Sequence, residues 1–212
     1  MSRDILSSMA MLVAVLFLSG CGLTHQYGEV VADLRMTGSE HVVVGVVDNR
    51  PYIVSGNKEP SFVGLMRSGV GIPYDVHTAS KKAFAQEVGE TACRSLIRSG
   101  FRCAPEVFSP SNGDAALAQA MSRQSASKGL LFVVSEWKVD TYVGTALWYD
   151  MQVAVRDRDS QTLASSSVRG KDVLGSSLVA PAVVATEEAP KSLRQKLEEI
   201  MNDRSVSSAL MK

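Results

Sequence analysis

The sequence has little of what nucleic-acid recognition requires. Its 22 basic and 22 acidic side chains balance, no block of like charge is present, and aromatic residues make up only 6% of the chain. A neutral chain exerts no long-range attraction on a phosphate backbone, and few aromatic rings are available for base stacking. We therefore expect no nucleic-acid partner.

Histidine and cysteine are also scarce, with three of each. No His-x-x-x-His, Cys-x-x-Cys or acidic calcium loop occurs, so the sequence predicts no metal and no cofactor. It also lacks a Gly-x-Ser-x-Gly elbow and a Walker loop. His77 is the one candidate general base in a loop of the globular part. A single histidine is weak support for catalysis, and we expect a protein that is not an enzyme.

A long apolar run is missing as well, but a short one stands at the N-terminus. Residues 5–18 are almost entirely apolar and are followed by the small residues Ser19 and Gly20. This pattern is typical of a signal peptide, and about 14 residues is shorter than the roughly 20 that a membrane-spanning helix needs. We interpret residues 1–20 as a signal peptide that is removed.

The motif Leu18-Ser19-Gly20-Cys21 directly follows this apolar run. It resembles the lipobox of bacterial lipoproteins. The resemblance implies that Cys21 becomes the N-terminus and carries a diacylglycerol and a further fatty acid such as palmitate. Because each buried methylene contributes about 0.8 kcal/mol, several chains anchor a protein stably. Residue 22 is glycine and not the aspartate associated with inner-membrane retention, which favours the outer membrane.

The two remaining cysteines, Cys93 and Cys103, form an even pair in a compartment that permits disulfides. We place Cys93 on the flank of a helix over residues 79–99 and Cys103 on a strand over residues 101–107. Bridged Cα atoms must lie within about 7 Å, whereas a helix axis packs about 10 Å from a sheet. A disulfide and two buried free thiols both remain open.

Hydrophobic periodicity divides the rest of the chain into elements. Residues 22–40 are predicted to be a polar tether after the lipidated Cys21, so that 21–40 stands apart from a single domain over 41–212. Strands are predicted at 41–47, 130–141, 147–155 and 162–173, and helices at 79–99, 114–124 and from Pro190 onwards. The apolar run 130–134 suits a central strand that is covered on both faces.

The stretch 51–78 is rich in proline and glycine and shows no clear periodicity. A loop of this length inside a compact domain is uncommon and is often functional. A structural or hairpin loop and a loop that contacts a partner are both consistent with it. The candidate partner residues are Arg50, Pro51, Tyr52, Gly69, Gly71, Pro73 and Tyr74.

Together these elements predict an α+β two-layer sandwich. The sheet is expected to be mixed, with an antiparallel C-terminal three-strand meander and with helices packed on one face. This arrangement resembles small YajG-like outer-membrane lipoproteins. The resemblance is carried by Val42-Val-Val-Gly-Val-Val-Asp48-Asn-Arg50 and by the 149–155 strand with its 157–163 hairpin. The Pro51 to Pro73 stretch departs from that pattern. The resemblance implies a location and a fold, but no activity.

The functional expectation is a non-enzymatic accessory or assembly protein of the envelope, anchored to the periplasmic face of the outer membrane. It would bind a protein partner or lipid through the 51–76 loop or through a sheet edge. The alternative is a transport-accessory module that binds an apolar small molecule or a lipid. A hydrolase acting on envelope polymers ranks last. The sequence does not indicate an oligomeric state.

Overall fold

The computed structural model describes residues 24–211, and both the signal peptide and Cys21 lie outside them. Eight strands and five helices follow one another in this part of the chain. They are β1 (Thr24–His25), β2 (His41–Asp48), α1 (Pro51–Val54), β3 (Phe62–Arg67), β4 (Pro73–Thr78), α2 (Phe84–Arg98), β5 (Arg102–Phe108), α3 (Gly113–Arg123), β6 (Lys128–Thr141), β7 (Gly144–Arg156), β8 (Thr162–Ser176), α4 (Pro181–Met201) and α5 (Arg204–Met211).

The strands form one mixed sheet organised around the long strand β6. Along one edge, β6 pairs antiparallel with β7, which in turn pairs antiparallel with β8. Along its other edge, the first half of β6 pairs parallel with β2 and the second half pairs parallel with β3. β5 extends the sheet beyond β2, and β4 and β1 extend it beyond β3. The C-terminal strands are therefore part of one larger sheet, and the α+β class holds.

Helices cover both faces of this sheet, so the prediction of helices on one face is wrong. The face of Val42, Val44 and Val46 joins the main core under α2, α4 and α5. The opposite face of β2, with Val43 and Val47, packs against α3 in a second core. Successive side chains of a strand point to opposite faces, so an uninterrupted valine run signals burial on both. A third layer is thus present at this end of the sheet.

The stretch 51–78 is not an irregular loop. It contains the short helix α1 and the β3–β4 hairpin, whose two strands pair antiparallel. Gly64 permits β3 to approach β6, because a Cβ atom there would lie 2.1 Å from the carbonyl oxygen of Val139. Gly71 closes the hairpin at φ +86°, a conformation that favours glycine. The hairpin was hidden in the sequence because short strands separated by glycine carry little periodicity.

The predicted tether is also wrong from Thr24 onwards. Tyr27, Ala32 and Met36 are buried in the main core. The backbone amide of Ala32 donates to the Ser95 hydroxyl at 2.9 Å, and β1 adds to the edge of β4. Buried side chains and satisfied amides are properties of a packed segment. The residues from Thr24 onwards therefore belong to the domain, which does not begin at residue 41.

The C-terminal helix α4 begins at Pro181, and Pro190, the predicted start, lies inside it. Proline removes one amide donor from a helix interior, which is why the sequence indicated a helix start at that position. The part of α4 after Pro190 packs on the core through Leu193, Leu197 and Ile200, which are all fully buried. A second helix, α5, follows α4 and was not predicted.

Candidate functional site

The seven predicted partner residues do not form one surface. Arg50, Pro51 and Tyr52 follow β2, at the point where the partner of β6 changes from β2 to β3. Gly69, Gly71, Pro73 and Tyr74 belong to the far end of the β3–β4 hairpin. In the first group Arg50 is buried, Tyr52 is half-buried and Pro51 is exposed, whereas the second group is exposed except for the half-buried Gly71.

Arg50 is fully buried, so it does not present a partner-binding group. Its guanidinium forms a bidentate ion pair with Asp48, at 2.8 Å from Nε to Oδ1 and 2.7 Å from Nη2 to Oδ2. It also donates to the carbonyl oxygens of Phe62 at 2.6 Å and Pro60 at 3.2 Å. Burial disfavours the charge, but the hydrogen bonds and the negative charge of Asp48 outweigh burial and raise the pKa of Arg50.

Arg50 and its neighbours fill a gap in the strand pairing of β6. Between Val134 and Val139, β6 has no strand partner on the edge shared by β2 and β3. The carbonyl oxygen of Trp137, which lies in this gap, is 3.0 Å from the Tyr52 hydroxyl and 3.5 Å from Nη1 of Arg50. Buried carbonyl groups need a donor, and these side chains supply one where no strand does. Arg50 and Tyr52 therefore have a structural role.

Three connections meet at one end of the sheet, and we call them the apolar tip. They are the β3–β4 turn (residues 68–72), the β6–β7 turn (142–144) and the loop between β8 and α4 (177–180). The Tyr142 hydroxyl donates to the Gly69 carbonyl at 3.1 Å, which joins the first two turns. The Ser177 amide donates to the Val143 carbonyl at 3.2 Å, which joins the second and third.

The side chains of the apolar tip are strongly exposed. Val179 is 95% exposed, Leu178 86% and Val70 83%. Ile72, Tyr142 and Val143 are also exposed. Single exposed apolar residues are ordinary in soluble proteins, but a contiguous group marks a surface that contacts a partner or a membrane. The candidate partner residues Gly69 and Gly71 belong to this surface, but the sequence did not indicate the other two connections.

An uncovered face of the sheet adjoins the apolar tip. Here Lys138, Trp148 and Lys171 lie side by side on β6, β7 and β8. The two ammonium groups are 5.2 Å and 4.6 Å from the centroid of the indole ring, within the range of cation–π attraction. The next row contains Asp150 and Arg169, whose charged groups are 3.5 Å apart. We call this surface the Trp148 face.

The N-terminal segment covers a group of buried polar side chains. The indole N–H of Trp137 donates to the Tyr27 hydroxyl at 3.0 Å. Glu87 accepts from the Ser80 hydroxyl, and its second carboxylate oxygen is buried without a partner among the described residues. Both ring nitrogens of His25 are buried without a partner in the same part of the chain, and burial lowers the pKa of His25 to about 4.

His77, the candidate general base, lies on β4 with its Nδ1 atom 2.9 Å from the Ser61 hydroxyl. That contact joins two neighbouring segments of the hairpin and suits a structural role. Residues 24–211 bring no three histidine, cysteine or carboxylate side chains together in a way that would hold a metal ion.

Cys93 on α2 and Cys103 on β5 form a disulfide, with their Cα atoms 5.3 Å apart. This separation is within the limit for a bridge, because the chain turns sharply between the two elements. Gly100 makes that turn possible at φ +95°. The amide of Phe101 then donates back to the Leu96 carbonyl at 3.1 Å and brings β5 against the helix.

The structure contains a surface groove of about 800 Å³ at the opposite end of the sheet from the apolar tip. Its lining includes Lys128, Asp203, Arg204 and Ser205. Leu163 and Ala209 line it as well, so the groove combines polar and apolar surface. The interface between α2 and the sheet is occupied by large, fully buried side chains, including Phe84 and Trp137, whose rings stack at 5.1 Å.

In fold, the chain is similar to protein XCC0632 from Xanthomonas campestris, a DUF330 family protein. The two share 15% identity with a TM-score of 0.55, over 88% of this chain and 97% of the other. A PelC dodecamer from Paraburkholderia phytofirmans gives a TM-score of 0.41 at 14% identity, over 82% and 91% of the two chains. Lipoprotein GNA1162 from Neisseria meningitidis gives 0.31 at 12% identity, over 74% and 99%. The last two likenesses are too weak to carry an argument.

No family model and no curated relative matches the chain in sequence. At 15% identity, the likeness to XCC0632 is a statement about the fold alone. The function of this chain is therefore inferred from its own residues.

Proposed function

We propose that this chain is an exported lipoprotein, anchored through Cys21 to the periplasmic face of the outer membrane. There it acts as a non-enzymatic accessory or assembly component that binds an envelope protein. The observation that carries the proposal is the motif Leu18-Ser19-Gly20-Cys21 at the end of the apolar run 5–18. The YajG-like arrangement of the sequence supports the same interpretation.

In this proposal the acyl chains on Cys21 supply the attachment to the membrane. None of the helices within residues 24–211 has both the length and the apolar character required to cross a membrane. Acyl chains on Cys21 supply attachment by burying methylene groups, and two or three chains hold a protein where one binds only reversibly. Gly22 supports the outer membrane as the destination.

The Trp148 face is the surface that we assign to the protein partner. Interface hot spots are enriched in tryptophan and arginine, and they combine an apolar centre with a polar rim. Trp148 supplies such a centre, and Lys138, Lys171, Asp150 and Arg169 supply a rim of both charges. We prefer this surface to Arg50 and Tyr52 as the partner site, because Arg50 is buried and the Tyr52 hydroxyl is bonded to the carbonyl oxygen of Trp137 in β6.

The alternative, a carrier of an apolar molecule, has no specific observation in its favour. A carrier needs an apolar cavity that takes its cargo out of water. The space between α2 and the sheet is instead filled by stacked rings, and the 800 Å³ groove is an open surface groove whose lining includes the charged residues Lys128, Asp203 and Arg204. We therefore keep the accessory role as the proposal.

The anchor is tested by Cys21→Ser in the full-length protein. The wild type is expected to fractionate with membranes and to have an intact mass that includes acyl chains, because the thiol carries the lipid. The variant is expected to be an uncleaved precursor or to appear in the soluble fraction. Gly22→Asp is the matched control, since it leaves the thiol in place and should remain lipidated. Equal masses and equal fractionation of the wild type and Cys21→Ser would refute the anchor.

The partner surface is tested by Trp148→Ala in the anchored protein. Loss of a central aromatic side chain typically costs an interface at least about 2 kcal/mol, so the affinity for the partner should fall about thirtyfold. The measurement is the yield of each protein crosslinked to the wild type in intact envelopes, followed by binding of the purified pair. Leu163→Ala is the control, because Leu163 is 45% exposed at the other end of β8. Unchanged binding by Trp148→Ala would exclude this face.

A further inference from the structure

We propose that the apolar tip is seated in the surface of the same lipid bilayer that holds the Cys21 acyl chains. This inference rests on the proposed lipid anchor and adds to it an orientation of the domain. The Trp148 face would then stand next to the membrane surface and not at a distance from it. Charge, exposure and the length of the N-terminal connection each support this assignment.

The apolar tip carries no charge, and the charged side chains that precede two of its turns, Arg67 and Asp140, form an ion pair with each other. The stretches 68–74, 141–149 and 173–186 contain no Asp, Glu, Lys, Arg or His. Charged residues make up 21% of the whole chain, so about six would be expected in stretches of that combined length. Partly exposed loops normally carry such residues, because charged side chains prefer water. Their absence from three connections that meet in space indicates an environment other than water.

The composition of the tip matches the interface of a bilayer. The projecting side chains are aliphatic, and each gains free energy when it leaves water. Tyr74 and Tyr142 are half-exposed beside them, and aromatic side chains of this kind are enriched at the level of lipid headgroups. Lys138 and Lys171, which belong to the Trp148 face, stand about four residues further along the strands.

The N-terminal connection is too short to let the domain move away from the membrane. Because residues from Thr24 onwards are part of the sheet and of the core, only three peptide units separate Cys21 from the domain. Three residues span at most about 11 Å, even when fully extended. An acylated Cys21 therefore holds Thr24 within about 11 Å of the lipid to which it is attached.

The place where the chain enters the domain lies on the side of the apolar tip. Thr24 is level with His77 on β4, and β4 begins at Pro73, next to the β3–β4 turn. Four residues of strand correspond to about 13 Å, which is close to the reach of the connection. β1 and β4 run parallel, so β1 leads away from the tip and Thr24 is its residue nearer the tip. The anchor and the tip can thus reach one membrane surface together.

The test uses the acylated full-length mature protein in vesicles of phosphatidylethanolamine and phosphatidylglycerol. Val179→Cys is labelled with an environment-sensitive fluorophore. The native thiols do not compete, because Cys21 is acylated and Cys93 and Cys103 are bonded. Leu163→Cys is the matched control, since β8 places it about 40 Å from the tip. Val70→Cys repeats the measurement on a second turn of the tip.

We expect the probes at 179 and 70 to shift to the blue in vesicles and to be quenched by nitroxide-bearing lipids, while the probe at 163 does neither. If acylated protein floats with the vesicles but all three probes remain in water, the seating of the tip is overturned and the anchor stands. If the protein lacks acyl chains and does not float, the proposed function itself fails. A blue-shifted 179 probe in detergent, together with a doubled molecular mass, would instead assign the tip to a second copy and overturn the inference.

Discussion

Arg50→Met is expected to lower the free energy of unfolding by about 3–5 kcal/mol. The substitution leaves the Asp48 carboxylate, whose side chain is only 11% exposed, without its counter-ion. It also leaves the Phe62 and Pro60 carbonyl oxygens without their donor. Removing one partner of a buried pair is costly because the other charge stays desolvated. Urea unfolding of the purified protein, followed by circular dichroism, measures the change.

Two further variants separate this effect from the general loss of an arginine. Arg169→Met removes an 81% exposed guanidinium that faces Asp150, and it should cost no more than about 1 kcal/mol. Asp48→Leu combined with Arg50→Met removes both charges, so it should cost less than the sum of the two single variants. If Arg50→Met were no more destabilising than Arg169→Met, the guanidinium would not close the sheet.

Hydrophobic periodicity predicted most of the long elements, because each buries a face of its own. The strands at 41–47, 147–155 and 162–173 lie within β2, β7 and β8, to within a few residues at their ends. The 79–99 helix is shorter than predicted and begins at Phe84. Hydrophobic periodicity did not predict the number of helical layers or the faces of the sheet that they cover. The valine run of β2 does signal two covered faces, but it does not say that α3, which buries Leu117, Ala120 and Met121, covers the second one.

The functional surfaces were harder to predict, because they depend on which loops meet. Each of the three connections of the apolar tip is short, and no one of them stands out along the chain. Their common signal is the lack of charge in 68–74, 141–149 and 173–186, which becomes meaningful only when the sheet brings these stretches together. Arg50 was a candidate partner residue, whereas Asp48 pairs with it inside the fold.

The N-terminal segment was misjudged for a similar reason. Residues 22–40 contain polar and glycine residues at the density of a linker, and they lack the spacing of a helix or a strand. Tyr27, Ala32 and Met36 are buried at irregular intervals. The chain between them has no regular structure and contacts α2, where the Ala32 amide donates to the Ser95 hydroxyl. Such packing leaves no periodic signature. Its functional consequence is large, because it converts a long tether into a connection of three peptide units between Cys21 and Thr24.

Acidification from pH 7 to pH 4.5 is expected to remove about 2.5 kcal/mol of stability through His25 alone. The side chain is buried without hydrogen-bond partners among the described residues, and its pKa in the folded protein is lowered to about 4. In the unfolded chain a histidine titrates near pH 6.5. Between these values the unfolded state binds a proton that the folded state does not bind, so stability falls as the pH falls and levels off below about pH 4.

His25→Phe should remove this component, because phenylalanine fills a similar space and does not titrate. The measurement is the free energy of unfolding in urea at several pH values, and the variant should lose about 2.5 kcal/mol less than the wild type between pH 7 and pH 4.5. His77→Asn leaves His25 in place and should follow the wild-type curve. Parallel curves for the wild type and His25→Phe would contradict the prediction. His25 lies in β1, and the pairing of β1 with β4 keeps the N-terminal connection short. Protonation of His25 would disfavour its burial and release β1. Acid should therefore increase hydrogen exchange first at the amides that pair β1 with β4.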